Sequence, residues 1–190
     1  ISMGLFREYD LRGIVGKELT DSIAEQVGRA YCTYVKDRNV RTIAVGRDGR
    51  LSSPGLFDAL VNGLLAGGLN VVDVGICPSP LVYFSLFQLP VDGGIMITGS
   101  HNAAEYNGFK VCIGKEAIHG EAIQELRRVM EAGVFTSGRG TRSEHPIVPD
   151  YLAYIKKSFI GVDARHLHVV IDSGKRAASL VAKDALELLG

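Results

Sequence analysis

The 190-residue sequence has no tryptophan and only three cysteines, Cys32, Cys77 and Cys112. These form no C-x-x-C pair and no Cys/His cluster, which argues against a zinc site and against a disulfide framework. They read as buried free thiols, suited to a reducing cytoplasm. Net charge is also missing, since 21 Lys+Arg balance 21 Asp+Glu. No bulk attraction to nucleic acid or an anionic membrane follows, although a local anion site needs only a few arginines. No apolar run is long enough to span a bilayer. Ile1 to Leu5 lacks the basic start and apolar core of a secretion signal. The expectation is a cytoplasmic chain with no nucleic-acid partner and no membrane partner.

What is present is the balance of a globular protein, 46% hydrophobic and 22% charged. Ile23, Val27, Ala30, Tyr31, Tyr34 and Val35 share one face of a helix over 21–37, capped by Thr20 or Ser22. Thr42-Ile43-Ala44-Val45 is a short apolar strand ending at Gly46. Ser53 and Pro54 have the form of an N-cap and first position of a second helix, stopped by Gly67-Gly68. A strand over 71–74, a helix over 81–86, strands over 94–98 and 109–113, and a helix over 121–131 follow. Continuous apolar strands alternating with helices predict a three-layer α/β/α sandwich with a mostly parallel or mixed sheet. Ligands gather beyond the carboxyl ends of such strands.

From Gly133 to Pro149 the composition turns polar and Gly-rich. We therefore divide the chain into a first domain over 1–142, a linker over 143–149, and the start of a second, similar domain over 150–190. Within the last, a helix over 150–159, a strand over 168–172 and a helix over 178–189 are expected.

Three segments carry candidate chemistry. Thr98-Gly99-Ser100-His101-Asn102 follows an apolar strand, so Ser100 sits at a strand's carboxyl end. Gly99 permits a tight turn, and exposed N–H groups there suit a phosphate. His101 is a proton carrier near neutral pH. Tyr106-Asn107-Gly108-Phe109-Lys110 leads into the next strand and brings Lys110 towards Ser100. Serine, histidine and lysine around an anion site suit phosphoryl transfer, in which positioning and charge neutralisation dominate. Phe6-Arg7-Glu8-Tyr9-Asp10-Leu11-Arg12-Gly13 sets two arginines around an aromatic residue, and guanidinium forks match phosphate oxygens. Pairing of Arg7 and Arg12 with Glu8 or Asp10 is the plain alternative. In Gly46-Arg47-Asp48-Gly49-Arg50, Arg47 and Asp48 read as a structural turn and ion pair. A serine hydrolase is disfavoured, because no G-x-S-x-G elbow is present and adjacent Ser and His rarely give triad geometry.

Together these three segments resemble the α-D-phosphohexomutase family (phosphomannomutase/phosphoglucomutase), N-terminal portion. The resemblance implies four domains around a cleft and a phosphoserine at Ser100. That group exchanges its phosphate with hexose 1- and 6-phosphates through a bisphosphorylated sugar. It implies catalytic roles for Ser100, His101, Lys110 and Arg12, and substrate binding by Arg7, Tyr9 and Arg12. It also implies Mg2+ on the phosphate of Ser100, and a glucose 1,6-bisphosphate-type activator. Two departures stand out: Ala103 and Ala104 where the family usually has proline, and Lys175-Arg176 in place of a Gly-rich turn. No Asp-Gly-Asp-x-Asp metal loop occurs in the sequence. The expectation is therefore a piece of a mutase that is inactive alone and partnered by missing domains of the same enzyme. The alternative is a non-catalytic sugar-phosphate-binding or assembly module.

Overall fold

The computed structural model describes residues 4–174 and 176–189. Ile1 to Met3, with which the secretion-signal reading begins, and Lys175 lie outside the described residues. In chain order the elements are β1 (Leu11–Ile14), α1 (Asp21–Val35), β2 (Thr42–Arg47), α2 (Ser53–Ala66), β3 (Asn70–Ile76) and α3 (Ser79–Gln88). Then come β4 (Gly93–Ile97), β5 (Tyr106–Ile113), β6 (Glu116–Ala117), α4 (Glu121–Ala132), β7 (Arg142–Glu144), α5 (Val148–Ser158) and α6 (Ala182–Glu187). A 3-10 turn at Ala177–Leu180 precedes α6.

Alternation along the strands sends residues to two cores. Ile43, Val45, Val71, Ile95, Ile97, Phe109 and Val111 pack with α1, α2 and α4 on one face. Ala44, Val74 and Met96 pack with α3, Ile147 and Val181 on the other. The three-layer α/β/α expectation is met, with a mixed sheet ordered β1-β5-β4-β2-β3-β7 and β6 on β5. The helices α1 and α2 touch backbone to backbone. A Cβ on Gly63 would lie 2.0 Å from the Glu25 carbonyl, and one on Gly28 would lie 2.4 Å from that of Leu60.

The sheet is mixed because β5 runs antiparallel to β4, with Met96 opposite Lys110; the short 98–105 loop cannot make a parallel crossover. Some details differ from the sequence reading. β1, unforeseen, pairs antiparallel with β5. Thr20, not Ser22, caps α1, accepting from the Ile23 N–H at 3.3 Å. Ser53 lies inside α2 rather than capping it, and its hydroxyl donates to Asp48 at 2.6 Å. Residues 143–149 hold the end of β7, the buried Ile147 and the start of α5.

The strand expected at His168–Asp172 is not formed, and the helix expected over 178–189 is broken into the 3-10 turn and α6. The physical reason is pairing. A strand places its N–H and C=O groups on neighbouring strands, and among the described residues no strand pairs with 168–172.

Candidate active site

β4 delivers the serine loop at the carboxyl end of the sheet. Ser100 has φ 55°, in the left-handed region, which costs a non-glycine residue roughly 1 kcal/mol or more. Gly99 is required for a different reason than expected. A Cβ there would lie 2.4 Å from Arg50 Cζ and 2.7 Å from the Tyr106 carbonyl. Three of the loop's N–H groups are taken up within the protein. The Gly99 N–H donates to Asp48 Oδ2 at 3.2 Å, that of Ser100 to Thr98 Oγ1 at 2.8 Å, and that of Asn102 to the Gly99 carbonyl at 3.0 Å. Nearby side chains add further donors.

Those side chains are linked. Arg12 is 7% exposed; its Nη1 donates to Asn102 Oδ1 of the serine loop at 2.6 Å, and its Nη2 donates to Asp10 Oδ2. Lys110 Nζ donates to the same Asp10 oxygen at 3.0 Å. Arg12 Nε is buried without a partner. One buried carboxylate thus ties two cations together beside the Ser100 loop, a charge-assisted arrangement of the strong kind. The Asp10 pairing foreseen for Arg12 is present, and it organises the site rather than cancelling it. Asp10 and Asn102, both inside the sequence motifs, are not among the expected catalytic or binding residues. The FREYDLRG motif held the signal for Asp10, a carboxylate two residues before Arg12 in the bend that leads into β1.

His101 lies beside the serine, with Ser100 Oγ and His101 Nδ1 at 3.2 Å. Among the described residues no carboxylate bonds the His101 ring, so a Ser-His-Asp triad is not assembled. Arg7 and Tyr9 sit on the turn between Phe6 and Leu11, which pair as an antiparallel bridge. Both are exposed, Tyr9 at 69%, with its ring 6.3 Å from that of His119. They are not brought into contact with Ser100.

Arg47 and Asp48 part company. Arg47 donates to Asp73 at 2.8 Å and stacks 4.1 Å from the Phe57 ring centroid, a structural role. Asp48 turns to the serine loop, receiving Thr98 Oγ1 at 2.9 Å, and Arg50 reaches over that loop. Arg176 donates to the Ser100 carbonyl at 2.8 Å. A cavity of about 730 Å³ opens beside the loop, lined in part by Arg50, Ser52, Thr98, Ser100, Asn102 and Arg176. That volume matches an ordinary small-molecule site. Arg12, His101 and Lys110 do not line it; Asn102 does, and its bond from Arg12 links the cavity wall to the Asp10 network. Among the described residues no group of three or more His, Cys, Asp or Glu is placed to hold a metal ion. The side chains present do not by themselves fit a magnesium site.

Residues 3–136 match the family model described as phosphoglucomutase/phosphomannomutase, alpha/beta/alpha domain I. The chain belongs to this family. A phosphomannomutase/phosphoglucomutase of Pseudomonas aeruginosa is 40% identical over 186 residues, 98% of this chain and 40% of the relative. A phosphoglucomutase of Neisseria meningitidis serogroup B is 38% identical over 192 residues, 100% of this chain and 41% of the relative. Among solved structures, a phosphoglucomutase/phosphomannomutase family protein from Burkholderia thailandensis superposes with a TM-score of 0.93 at 37% identity. That match covers 100% of this chain and 43% of the other. The chain thus spans about 40% of the length of the curated relatives it matches. Of the two departures from the family pattern, Ala103 has its carbonyl held by Arg50 at 2.6 Å. Arg176 has the Ser100 contact, and Lys175 lies outside the described residues.

Proposed function

We propose that this chain forms the phosphoserine site of a hexose-phosphate mutase. The observation that carries the reading is Ser100 itself. It is held at φ 55° at the carboxyl end of β4, 3.2 Å from His101 Nδ1, on a loop tied through Asn102 to Arg12, Asp10 and Lys110. Family membership supports it independently. In the proposed reaction a hydroxyl of a hexose 1- or 6-phosphate attacks the phosphorus carried on Ser100 Oγ. A new P–O bond to the sugar forms as the P–Oγ bond breaks. The attacking hydroxyl passes its proton to solvent water as the new bond forms, and Oγ departs with the electron pair and takes a proton from His101, which water then reprotonates. Arg12 and Lys110 bring positive charge to the loop where negative charge concentrates. Return of the sugar's other phosphate to Ser100 completes the interconversion, through a glucose 1,6-bisphosphate-type intermediate that also serves as activator. Arg7 and Tyr9, exposed on the turn before β1, are proposed as substrate contacts made from the open side.

Mg2+ is proposed for the whole protein, with ligands other than the Ser100 phosphate coming from residues outside this sequence. By the same reasoning these 190 residues alone are proposed to be inactive, and their partners are hexose phosphates and the further domains of the same enzyme. A reducing cytoplasm suits the three free, buried thiols, and no helix of the described residues is long and apolar enough to cross a membrane.

The test is incubation of the full-length protein with a hexose 1,6-bisphosphate, followed by peptide mass spectrometry and a coupled mutase assay. One phosphoryl group on the Ser100 peptide, with turnover abolished in Ser100→Ala, is expected. Wild-type turnover in Ser100→Ala, or phosphate on another residue, would overturn the reading.

A further inference from the structure

We propose that Asp48 and Arg50 are positioning residues that clamp Ser100 in its left-handed conformation and so aim its Oγ. This rests on the phosphoserine reading above, which makes the direction of that oxygen matter. Once β4 ends, the 98–105 loop and the first residue of β5, Tyr106, carry carbonyls that bond to side chains rather than to a ladder. The single guanidinium of Arg50 collects four of them. Nη1 donates to Ala103 at 2.6 Å and to Tyr106 at 3.0 Å; Nη2 donates to Asn102 at 2.7 Å and to Ser100 at 3.2 Å. Its remaining nitrogen, Nε, donates to Asp48 Oδ2 at 3.2 Å. All three nitrogens are therefore committed to the loop or to Asp48.

Asp48 holds the other side. Its Oδ2 accepts from Thr98 Oγ1 at 2.9 Å and from the Gly99 N–H at 3.2 Å, and Thr98 Oγ1 accepts from the Ser100 N–H at 2.8 Å. Oδ1 is fixed by the Arg50 N–H at 3.0 Å and by Ser53 Oγ at 2.6 Å. Asn107 locks Ser53 in turn, at 3.0 Å. The N–H of Ser100 is thus held through Asp48, and its carbonyl by Arg50 together with Arg176 at 2.8 Å, so the peptide groups on both sides of Cα are fixed. A serine at positive φ persists only when its surroundings over-determine it, and these contacts do so. Gly99 leaves the space that the guanidinium occupies. The clamp is rooted in the end of β2 and the start of α2, so it is rigid. No hydrogen bond joins Asp48 or Arg50 to Ser100 Oγ, which makes their effect one of direction. Lysine at position 50 would keep the charge but offers one compact ammonium, unable to span four carbonyls.

The experiment compares the full-length protein with Arg50→Ala, Arg50→Lys and Asp48→Asn by two readouts. The first is amide hydrogen exchange at Gly99, Ser100 and Asn102, which needs no chemistry. The second is steady-state mutase kinetics with a hexose 1-phosphate. Expected is exchange faster by about tenfold or more at these three amides, with Ile95 to Ile97 of β4 unchanged. Also expected is a fall in kcat on the order of a hundredfold, with little change in KM and no rescue by lysine. Should Arg50→Ala fail to fold, the two milder variants carry the test. Unchanged exchange would overturn the clamp. Faster exchange with wild-type kcat would overturn its positioning role, and so would loss shared between kcat and KM with exchange raised throughout the domain. A wild type that neither turns over nor takes phosphate on Ser100 would sink the mutase reading, while the exchange result would still decide the clamp.

Discussion

Val71-Val72-Asp73-Val74 and Val169-Val170-Ile171-Asp172 are both β-branched runs carrying one aspartate, yet only the first is a strand. It lies in β3, parallel to β2 on one side and β7 on the other. Val74 is fully buried with Cys77, Leu81 and Ile147, whereas Val170 is 96% exposed. The aspartates differ in the same way. Asp73 is buried and held by Arg47 at 2.8 Å and Arg142 at 2.9 Å. Asp172 is exposed and accepts from the Gly174 N–H at 3.0 Å. Composition sets what a segment can do, and neighbours decide whether it does it. A lone strand has nowhere to put its ladder hydrogen bonds or its second apolar face. Among the described residues of the later region, 150–190, only Ala177 and Val181 are buried, the latter against the sheet's second face.

The largest effect that can test this contrast comes from a charge placed in each run. Val74→Asp buries a carboxylate with no cation beside it and is expected to cost several kcal/mol, enough to unfold a domain of ordinary stability. Val170→Asp should shift stability by less than about 0.5 kcal/mol. Urea unfolding of this chain followed by circular dichroism measures both. Comparable losses would mean that the later run is buried in solution.

A smaller effect probes how the first region packs. Alanine is normally a better helix residue than glycine by about 1 kcal/mol. At Gly63 the order should reverse, because the new Cβ meets the Glu25 carbonyl at 2.0 Å and must push α1 off α2. Gly63→Ala is expected to destabilise by about 2 kcal/mol. A stabilised variant in the same urea titration would show that the helices have room between them.

The same contrast explains what could be read in the sequence. Helices α1, α2 and α4 and strands β2 to β5 were legible because each carries its own apolar period and stop signals. β1 was not, since Leu11 to Ile14 is short and gains its ladder only from β5, almost a hundred residues away. The strand expected over 168–172 failed for the complementary reason. In the site, Ser100, His101, Arg12 and Lys110 were visible as motif residues, and the structure gathers them through Asp10 and Asn102. Asp48 and Arg50 were visible as members of a motif read as a structural turn, but their contacts were not, because these depend on the serine loop some fifty residues further on. The nest of free N–H groups was a local inference, and Asp48 and Thr98 take up two of the loop's N–H groups, those of Gly99 and Ser100.

The smallest effect separates the regions by pH. All three cysteines, buried and free, lie in the first region: Cys32 in α1, Cys77 just after β3 and Cys112 in β5. Burial raises each thiol, from an ordinary 9.0 to about 12 for Cys32 and Cys77 and to about 11 for Cys112, because the thiolate would lose its hydration. A raised pKa means that the folded state holds its protons longer. The stabilisation is complete below pH 9 and drains away as pH climbs through 11 and 12, since over that window the unfolded chain ionises first. Between pH 7 and pH 10 Cys112 alone should contribute a loss of about 1 kcal/mol. Cys112→Ala should therefore lose less stability over that interval than the wild type, whatever its starting stability at pH 7. Leu180→Ala, a change in the cysteine-free later region, should leave the slope untouched. Unfolding free energies from urea titrations at pH 7, 9 and 10 read the difference. Parallel curves for Cys112→Ala and wild type would mean that solvent reaches the thiol of β5, and that this part of the sheet is less closed than the packing of the first region requires.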